Sequence, residues 1–336
     1  MNKYLFFRTD RIGDFLVSIL LINSIKKNNK DSHFTIVCSK KNYKYIKDFK
    51  YINKVILYPE NNILKKIIFF IKLLFKKYYC SIVFDSKNRS IFSSIITNSK
   101  KKILIKNKKE NIFFLKTLFD KIYLDENYSS KISILRKIAV YLKIKFNKND
   151  INAFNFRIIK NPFGKKKINF IKKKFILLNF DEKWIYKQYI KDYKKIEPTY
   201  ENFIKFIVNI VKKSKKDLVI TNGYMTNTIT NKIKQNFQYL NKGMYLMKIK
   251  KKKIILFDNI NFFSLEYLIS RSILVITCHG AASHVAASLK KKIIDIIEFK
   301  KIKFYKKWTE HYTNHLFIMR KDFSKLSLSI INKLNN

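Results

Sequence analysis

The stretch FFRTDRIGDFLVSIL, residues Phe6–Leu20, places a glycine and an acid directly after a short apolar run and directly before a helical pattern. Only five glycines occur in 336 residues, and lysine, isoleucine and asparagine crowd the rest, so residues that resist this bias carry the information. Gly13 and Asp14 resist it. At a strand-to-helix turn, glycine supplies a backbone conformation closed to other residues and lets a ligand approach the amides of the helix N-terminus. Asp14 then reads either as a helix cap or as a carboxylate with chemistry. A carboxylate there is stabilised as the anion, which lowers its basicity. Arg8 and Arg11 flank the same turn, as contacts for an anionic ligand or as ordinary surface arginines.

Outward from this turn the chain alternates strands with helices. Apolar runs at Tyr4–Phe7, Phe34–Cys38, Val55–Tyr58, Ser81–Phe84 and Ile103–Ile105 read as strands, with helical patterns beginning near Asp14, Lys40, Asn61 and Lys87. Strands spaced by helices predict βαβ units and a parallel sheet. From Asn147 to Lys174 the pattern decays into asparagine, lysine and an Asn161-Pro162 pair followed by Gly164, a linker composition. The alternation then resumes with strands at Phe175–Asn179, Leu218–Thr221, Ile254–Phe257, Ile273–Thr277 and Ile293–Ile297. Helices are expected at Glu201–Lys212, after Gly223, from Ser264 and over Ala281–Leu289; in the first of these Phe203, Phe206, Ile207, Ile210 and Val211 share one face. The simplest architecture is two Rossmann-like α/β domains, residues 1–160 and 161–336, with parallel sheets facing an interdomain cleft.

Composition bounds the function more loosely. A hydrophobic fraction of 47% with 30 phenylalanines suffices for two packed cores. The 72 Lys and Arg against 23 Asp and Glu give a net charge of +49, which points to a polyanionic partner or to a drift of the whole sequence toward lysine. No stripe of basic residues, helix-turn-helix, RNA-recognition or zinc pattern accompanies it, so no specific nucleic-acid partner is expected. Cys38, Cys80 and Cys278 are odd in number and widely spaced, as buried thiols of a reducing compartment would be. The apolar run after Lys3 is too short for a signal peptide. The greasiest segment, Ile63–Tyr79, is interrupted by Lys65, Lys66 and Lys72; it reads as a sheet-covering amphipathic helix or as a basic helix lying on an anionic membrane.

Three of the five glycines, Gly13, Gly223 and Gly280, fall just after an expected strand and just before an expected helix, where anions bind. None has the G-x-G-x-x-G spacing of a dinucleotide site or the spacing of a P-loop, which argues against NAD binding and nucleoside triphosphate hydrolysis. Around Gly280 the sequence reads ISRSILVITCHGAASHVAASLKKKIIDII, Ile269–Ile297: a strand, a His279-Gly280 turn and a helix of small residues with His284 in its first turn. Small side chains let such a helix start lie close to a ligand.

This stretch resembles the C-terminal signature of the lipopolysaccharide heptosyltransferases, glycosyltransferase family 9, where a strand leads to a D-[ST]-G-P-x-H turn and an A-x-A helix. The corresponding residues are His279, Gly280, Ala281, Ala282, Ser283 and His284, followed by Val285, Ala286 and Ala287. RTDRIGDFLVSIL is similar to the family's opening, in which a G-D pair starts the first helix. The sequence departs from the family in carrying His279 where an acid stands and Ala281 and Ala282 where glycine and proline stand; the family's K-x-W motif has its counterpart in FDEKWIYKQY, with Lys183 adjacent to Trp184. The resemblance implies a GT-B architecture and an inverting glycosyltransferase, free of metal and cofactor. The N-terminal domain then holds a glycolipid or glycan acceptor and the C-terminal one a nucleotide-sugar. It assigns the proton-accepting role to Asp14 and donor or diphosphate binding to Lys183, His279, Gly280, Ala281 and His284, to which the glycine turn at Gly223 is added as a further donor-site candidate. Arg8, Arg11 and Gly13 fall to the acceptor. The buried thiols suit a cytoplasmic protein, and the Ile63–Tyr79 segment allows peripheral contact with the cytoplasmic face of the inner membrane. The altered C-terminal turn also suits a catalytically silent scaffold or sugar sensor.

Overall fold

A computed structural model of the chain describes residues 1–107, 112–125, 130–147, 159–163, 174–185, 194–223, 227–241 and 243–334. The chain forms two compact units, Met1–Ile158 with Lys303–His311, and Ile159–Ile302 with Tyr312–Asn336. The linker expected over Asn147–Lys174 lies mostly outside the described residues.

The first unit runs β1 (Lys3–Arg8), α1 (Ile12–Asn28), β2 (His33–Cys38), α2 (Lys40–Lys47), β3 (Lys54–Leu57) and α3 (Ile63–Leu74). It continues through β4 (Lys77–Val83), α4 (Asn88–Ile96), β5 (Asn98–Lys106), α5 (Ile112–Lys116), β6 (Lys121–Leu124) and α6 (Lys131–Tyr141). Its six strands are all parallel, in the order β3-β2-β1-β4-β5-β6. Phe6 pairs with Ile36 on one side and Ile82 on the other, so β1 is the sheet's centre and is buried from Tyr4 onward. That explains its unbroken apolar run: a strand covered on both faces has no polar side to alternate with.

The second unit runs β7 (Phe175–Asn179), α7 (Tyr200–Ser214), β8 (Leu218–Thr221), α8 (Thr228–Asn236), β9 (Gln238–Asn241), β10 (Met244–Ile249) and β11 (Lys252–Phe257). Then follow α9 (Phe262–Arg271), β12 (Ser272–Cys278), α10 (Ala281–Ser288) and β13 (Lys292–Ile297). After α11 (Ile302–Trp308) come β14 (His315–Met319) and α12 (Phe323–Asn332). The sheet order is β14-β13-β12-β7-β8-β11-β10-β9. Thr199 caps α7 by accepting from the Asn202 amide, and the face foreseen from Phe203 to Val211 is buried.

Both units are therefore Rossmann-like, with three departures from the sequence reading. The second sheet is not wholly parallel: β10 pairs antiparallel with β11 and β9, because two tight turns replace helical crossovers. Helix α1 begins at Ile12 with Arg11 as its N-cap residue, so Asp14 is inside the first turn and does not cap it. The Ile63–Tyr79 segment is not one helix; α3 stops at Leu74 and Lys77–Tyr79 enter β4.

Nor do Gly13, Gly223 and Gly280 adopt the left-handed backbone that their position in the sequence suggests. Among the described glycines only Gly243 does, with φ of +78° in the turn between β9 and β10. A Cβ at Gly243 would also lie 3.1 Å from the Asp258 carbonyl. Gly243→Ala is expected to cost about 1–2 kcal/mol in chemical unfolding experiments, because an L residue is strained at that φ.

Candidate functional site

In open α/β sheets, ligands bind beyond the carboxyl ends of the strands where the strand order reverses. In the first unit this point lies between β1 and β4, and in the second between β7 and β12. The two stretches singled out from sequence, Arg8–Asp14 and Cys278–His284, leave the ends of β1 and β12.

At the first switch point Arg8 is only 5% exposed and its guanidinium is engaged internally. It donates to the Phe84 carbonyl at 2.7 Å and the Asp14 carbonyl at 2.6 Å, and pairs with the Asp10 carboxylate at 3.1 Å. Its carbonyl accepts from Asn42 Nδ2 at 2.9 Å. Arg8 thus holds the turn together, a role that sequence reading divided between ligand contact and surface residue. Arg11 is exposed, Gly13 is buried in the first turn of α1, and Asp14 is half-buried with Oδ1 3.9 Å from the Arg8 guanidinium.

Asp85, just past β4, closes the turn from the other side. Its Oδ2 accepts from the Thr9 amide at 2.6 Å, the Thr9 hydroxyl at 2.7 Å and the Ser90 hydroxyl at 3.0 Å. Arg89 and Lys87 donate to the Thr9 carbonyl at 3.1 and 3.2 Å. Asp10 is the group the sequence reading passed over. Burial, with the nearby charges of Asp14 and Asp85, pushes its carboxyl up to about 6 against the opposing pull of Arg8. Its Oδ1 is buried without a hydrogen-bond partner.

At the second switch point Lys183 Nζ lies 2.8 Å from Asp181 Oδ2, and the Lys183 amide donates to Asp181 Oδ1 at 3.1 Å. Burial disfavours the ammonium, but the adjoining Asp181 carboxylate more than offsets this and holds Lys183 charged. The Asp181 Oδ2 also accepts from Asn179 Nδ2 at 3.0 Å, and that amide bridges β7 to Thr277 of β12 at 3.1 Å. Trp184 is fully buried and its indole donates to the Asn179 carbonyl at 2.8 Å. A Cβ on Gly280 would stand 2.5 Å from Lys183 Nζ and 3.0 Å from Cε. The glycine is there for space: its φ of 168° is ordinary extended backbone. Lys183 and Gly280, 97 positions apart, are therefore neighbours. Gly223, past the end of β8, comes within 4.0 Å of Glu182 by the same measure.

Behind this turn stands a polar cluster with Asp295 at its centre. The wholly buried Asp295 carboxylate contacts His279 Nδ1 at 2.6 Å and His315 Nε2 at 3.3 Å, and accepts from the Ser283 hydroxyl at 2.8 Å. Burial alone would raise its pKa, yet the charge and hydrogen bonds of the two imidazoles hold the carboxyl far below the usual range. His284 meets Tyr312 Oη at 2.7 Å through Nδ1, and its ring packs edge-on against His279 at 5.4 Å. The first helical bond of α10 is His284 N to Gly280 O, so the amides of Ala281, Ala282 and Ser283 precede it at the helix mouth. Arg320 locks the arrangement by donating to the Lys183 carbonyl at 2.9 Å.

Comparison with known proteins places this geometry in context. No protein-family model matches the chain, and no curated protein matches it in sequence. Among solved structures, the E. coli heptosyltransferase WaaC with ADP-2-deoxy-2-fluoro heptose superposes with a TM-score of 0.69 at 11% identity, over 99% of this chain and 100% of that one. The chain shares its fold with this heptosyltransferase. The glycosyltransferase family 9 protein from Veillonella parvula is similar at a TM-score of 0.67 and 14% identity, over 98% of this chain and 89% of that one. UDP-GlcNAc 2-epimerase from Methanocaldococcus jannaschii is similar at 0.58 and 13%, over 100% and 93%. The GT-B architecture of two Rossmann-like domains, expected from the sequence, is thus the architecture found.

Asp10, Asp181, Asp295 and Arg320 went unnoticed in the sequence. Asp10 and Asp181 each lie within three residues of a residue the motifs did mark, while Asp295 is hidden in an isoleucine strand and Arg320 follows an unanticipated one. The raised Asp10 group has a measurable signature. Its folded pKa of about 6 exceeds the unfolded value near 3.9, so its stabilising contribution is present below about pH 4 and is lost as pH rises through 6. Unfolding free energies of wild type and Asp10→Asn, compared between pH 4 and 7.5, are expected to shift in the variant's favour by about 2 kcal/mol.

Proposed function

We propose that this chain is an inverting glycosyltransferase that transfers a heptose or related sugar from a nucleotide-sugar to a lipopolysaccharide-core or other surface-glycan acceptor, without a metal or cofactor, in the cytoplasm. One observation carries the reading: both signature stretches fall at the switch points of two Rossmann-like sheets, in a fold shared with heptosyltransferases that hold ADP or ADP-2-deoxy-2-fluoro heptose. Residues 161–336 supply the donor site and residues 1–160 the acceptor site. The UDP-GlcNAc 2-epimerase likeness is one of fold; the G-D turn and the His279–His284 turn favour the transferase.

In this reading a carboxylate on the first unit takes the proton of the acceptor hydroxyl as its oxygen attacks the anomeric carbon. The bond to the diphosphate oxygen breaks, and the departing charge is met by the Lys183 ammonium, the amides that follow Gly280 and the dipole of α10. His279, fixed by Asp295, and His284, fixed by Tyr312, complete the wall of the turn, with Gly223 at its margin. Arg11 and Gly13 border the acceptor, while Arg8 positions the turn.

Nucleotide binding tests the donor half. ADP at a hundred times its dissociation constant should stabilise the protein by about 2.7 kcal/mol. In Gly280→Val the extra carbons displace Lys183 Nζ, the far end of a flexible side chain, so folding should persist while the ADP shift disappears. An unchanged shift in the folded variant would falsify the donor site.

The resemblance makes Asp14 the base. Its rival is Asp10, favoured by its raised pKa and its unpartnered Oδ1. Loss of a general base lowers turnover by roughly 10² to 10⁴-fold. Asp14→Asn is therefore expected to bind donor normally and transfer at least about a hundredfold more slowly. Near-wild-type transfer by Asp14→Asn, with that loss appearing in Asp10→Asn, moves the base to Asp10.

A further inference from the structure

Helix α3 presents its apolar side outward. Of its twelve residues only Phe69 and Leu73 are buried, joining the core on one face of the first sheet. Ile63, Leu64, Ile67, Ile68, Ile71 and Leu74 are exposed, and Phe75 at the helix end is 79% exposed. At about 100° per residue, these seven side chains fill one continuous arc of roughly 140°. Lys65 and Lys72 run along one edge of that arc and Lys66 along the other, and Lys76 and Lys77 follow. The patch continues onto α4, where the half-exposed Phe92 ring meets Phe70 at 5.4 Å. Exposed Phe113 and Phe114 emerge from α5, whose Leu115 belongs to the same core.

Single exposed apolar residues are normal on a protein surface, but an unbroken apolar face marks a site of contact. Charge selects the occupant. A chain of net charge +49 repels a second copy of itself, and lysines edging an apolar arc match a surface that is greasy within and anionic without. Helix α3, with twelve residues, is too short to span a bilayer, which leaves contact along its length as the way it can meet one.

We propose that α3 docks in the plane of an anionic lipid bilayer, its apolar arc at the acyl boundary and its lysines among the headgroup phosphates. The proposal stands on the surface of the first unit and holds whether or not the glycosyltransferase reading does.

The test is co-sedimentation of the full chain with vesicles of phosphatidylcholine alone or with about one-third phosphatidylglycerol. Binding is expected to the acidic vesicles and to weaken with salt. The double variant Ile67→Glu, Ile71→Glu changes exposed positions, so its thermal unfolding should match wild type while vesicle affinity falls at least about tenfold. Lys65→Gln, Lys66→Gln and Lys72→Gln together should also cost about tenfold or more. Failure of the wild type to sediment with acidic vesicles overturns the proposal, as does equal binding by the folded glutamate variant. A concentration-dependent dimer that the glutamate variant dissolves, without vesicle binding, overturns it by assigning the face to a second copy.

Discussion

The second unit is organised by a partly buried ammonium. Lys183, bonded to Asp181, occupies the space that a side chain at position 280 would need, so a larger residue there has to push the ammonium aside. Removing one charge from a buried ion pair is far more damaging than the pair is stabilising, because the survivor is left uncompensated. Each neighbour is correspondingly tied: Asn179 bridges Asp181 to Thr277, Trp184 fills the core beneath, and Arg320 holds the Lys183 carbonyl. The Asp295 cluster extends the same scheme by one strand, with two imidazoles compensating a carboxylate that is wholly out of solvent.

In the first unit the charges are reversed in role. Here a carboxylate, Asp85, gathers the Thr9 amide and two hydroxyls, and the Arg8 guanidinium ties the end of β1 to Phe84 and to the first turn of α1. The turn's shape is thus set by polar groups from β1, β4 and α4 rather than by the glycine within it. Such an arrangement fixes the backbone but buries the Asp10 carboxyl, with Asp14 and Asp85 nearby, and this raises its affinity for a proton against the pull of Arg8. Rigidity and a readily protonated carboxyl arise from the same crowding.

Much of this was legible from sequence, and the limits have physical causes. The central strands stand out because both faces are covered, giving apolar runs such as Tyr4–Phe7 and Phe175–Asn179. The turns at Gly13 and Gly280 were found, though for the wrong reason: neither glycine has a left-handed backbone, and the neighbour that needs the space at Gly280 is distant in sequence. Asp295 and Arg320 owe their importance to partners that periodicity cannot reveal. The orientation of α3 was equally hidden. A 3.6-residue pattern shows that a helix has an apolar side, but not that Phe69 and Leu73 alone would turn inward.

The margins of the two sheets carry a separate consequence. β3, β6 and β9 have four residues each and β14 five, and β3 and β6 both open with lysine. An edge strand offers a row of unpaired amides and carbonyls on which another chain can build, and interior strands as rich in isoleucine as β13 would be hazardous templates. Short margins, lysine-led in the first sheet, offer little of that template. The compositional drift that obscures so much of the sequence thereby sets a charge at both edges of the first sheet, where charge disfavours the addition of another strand.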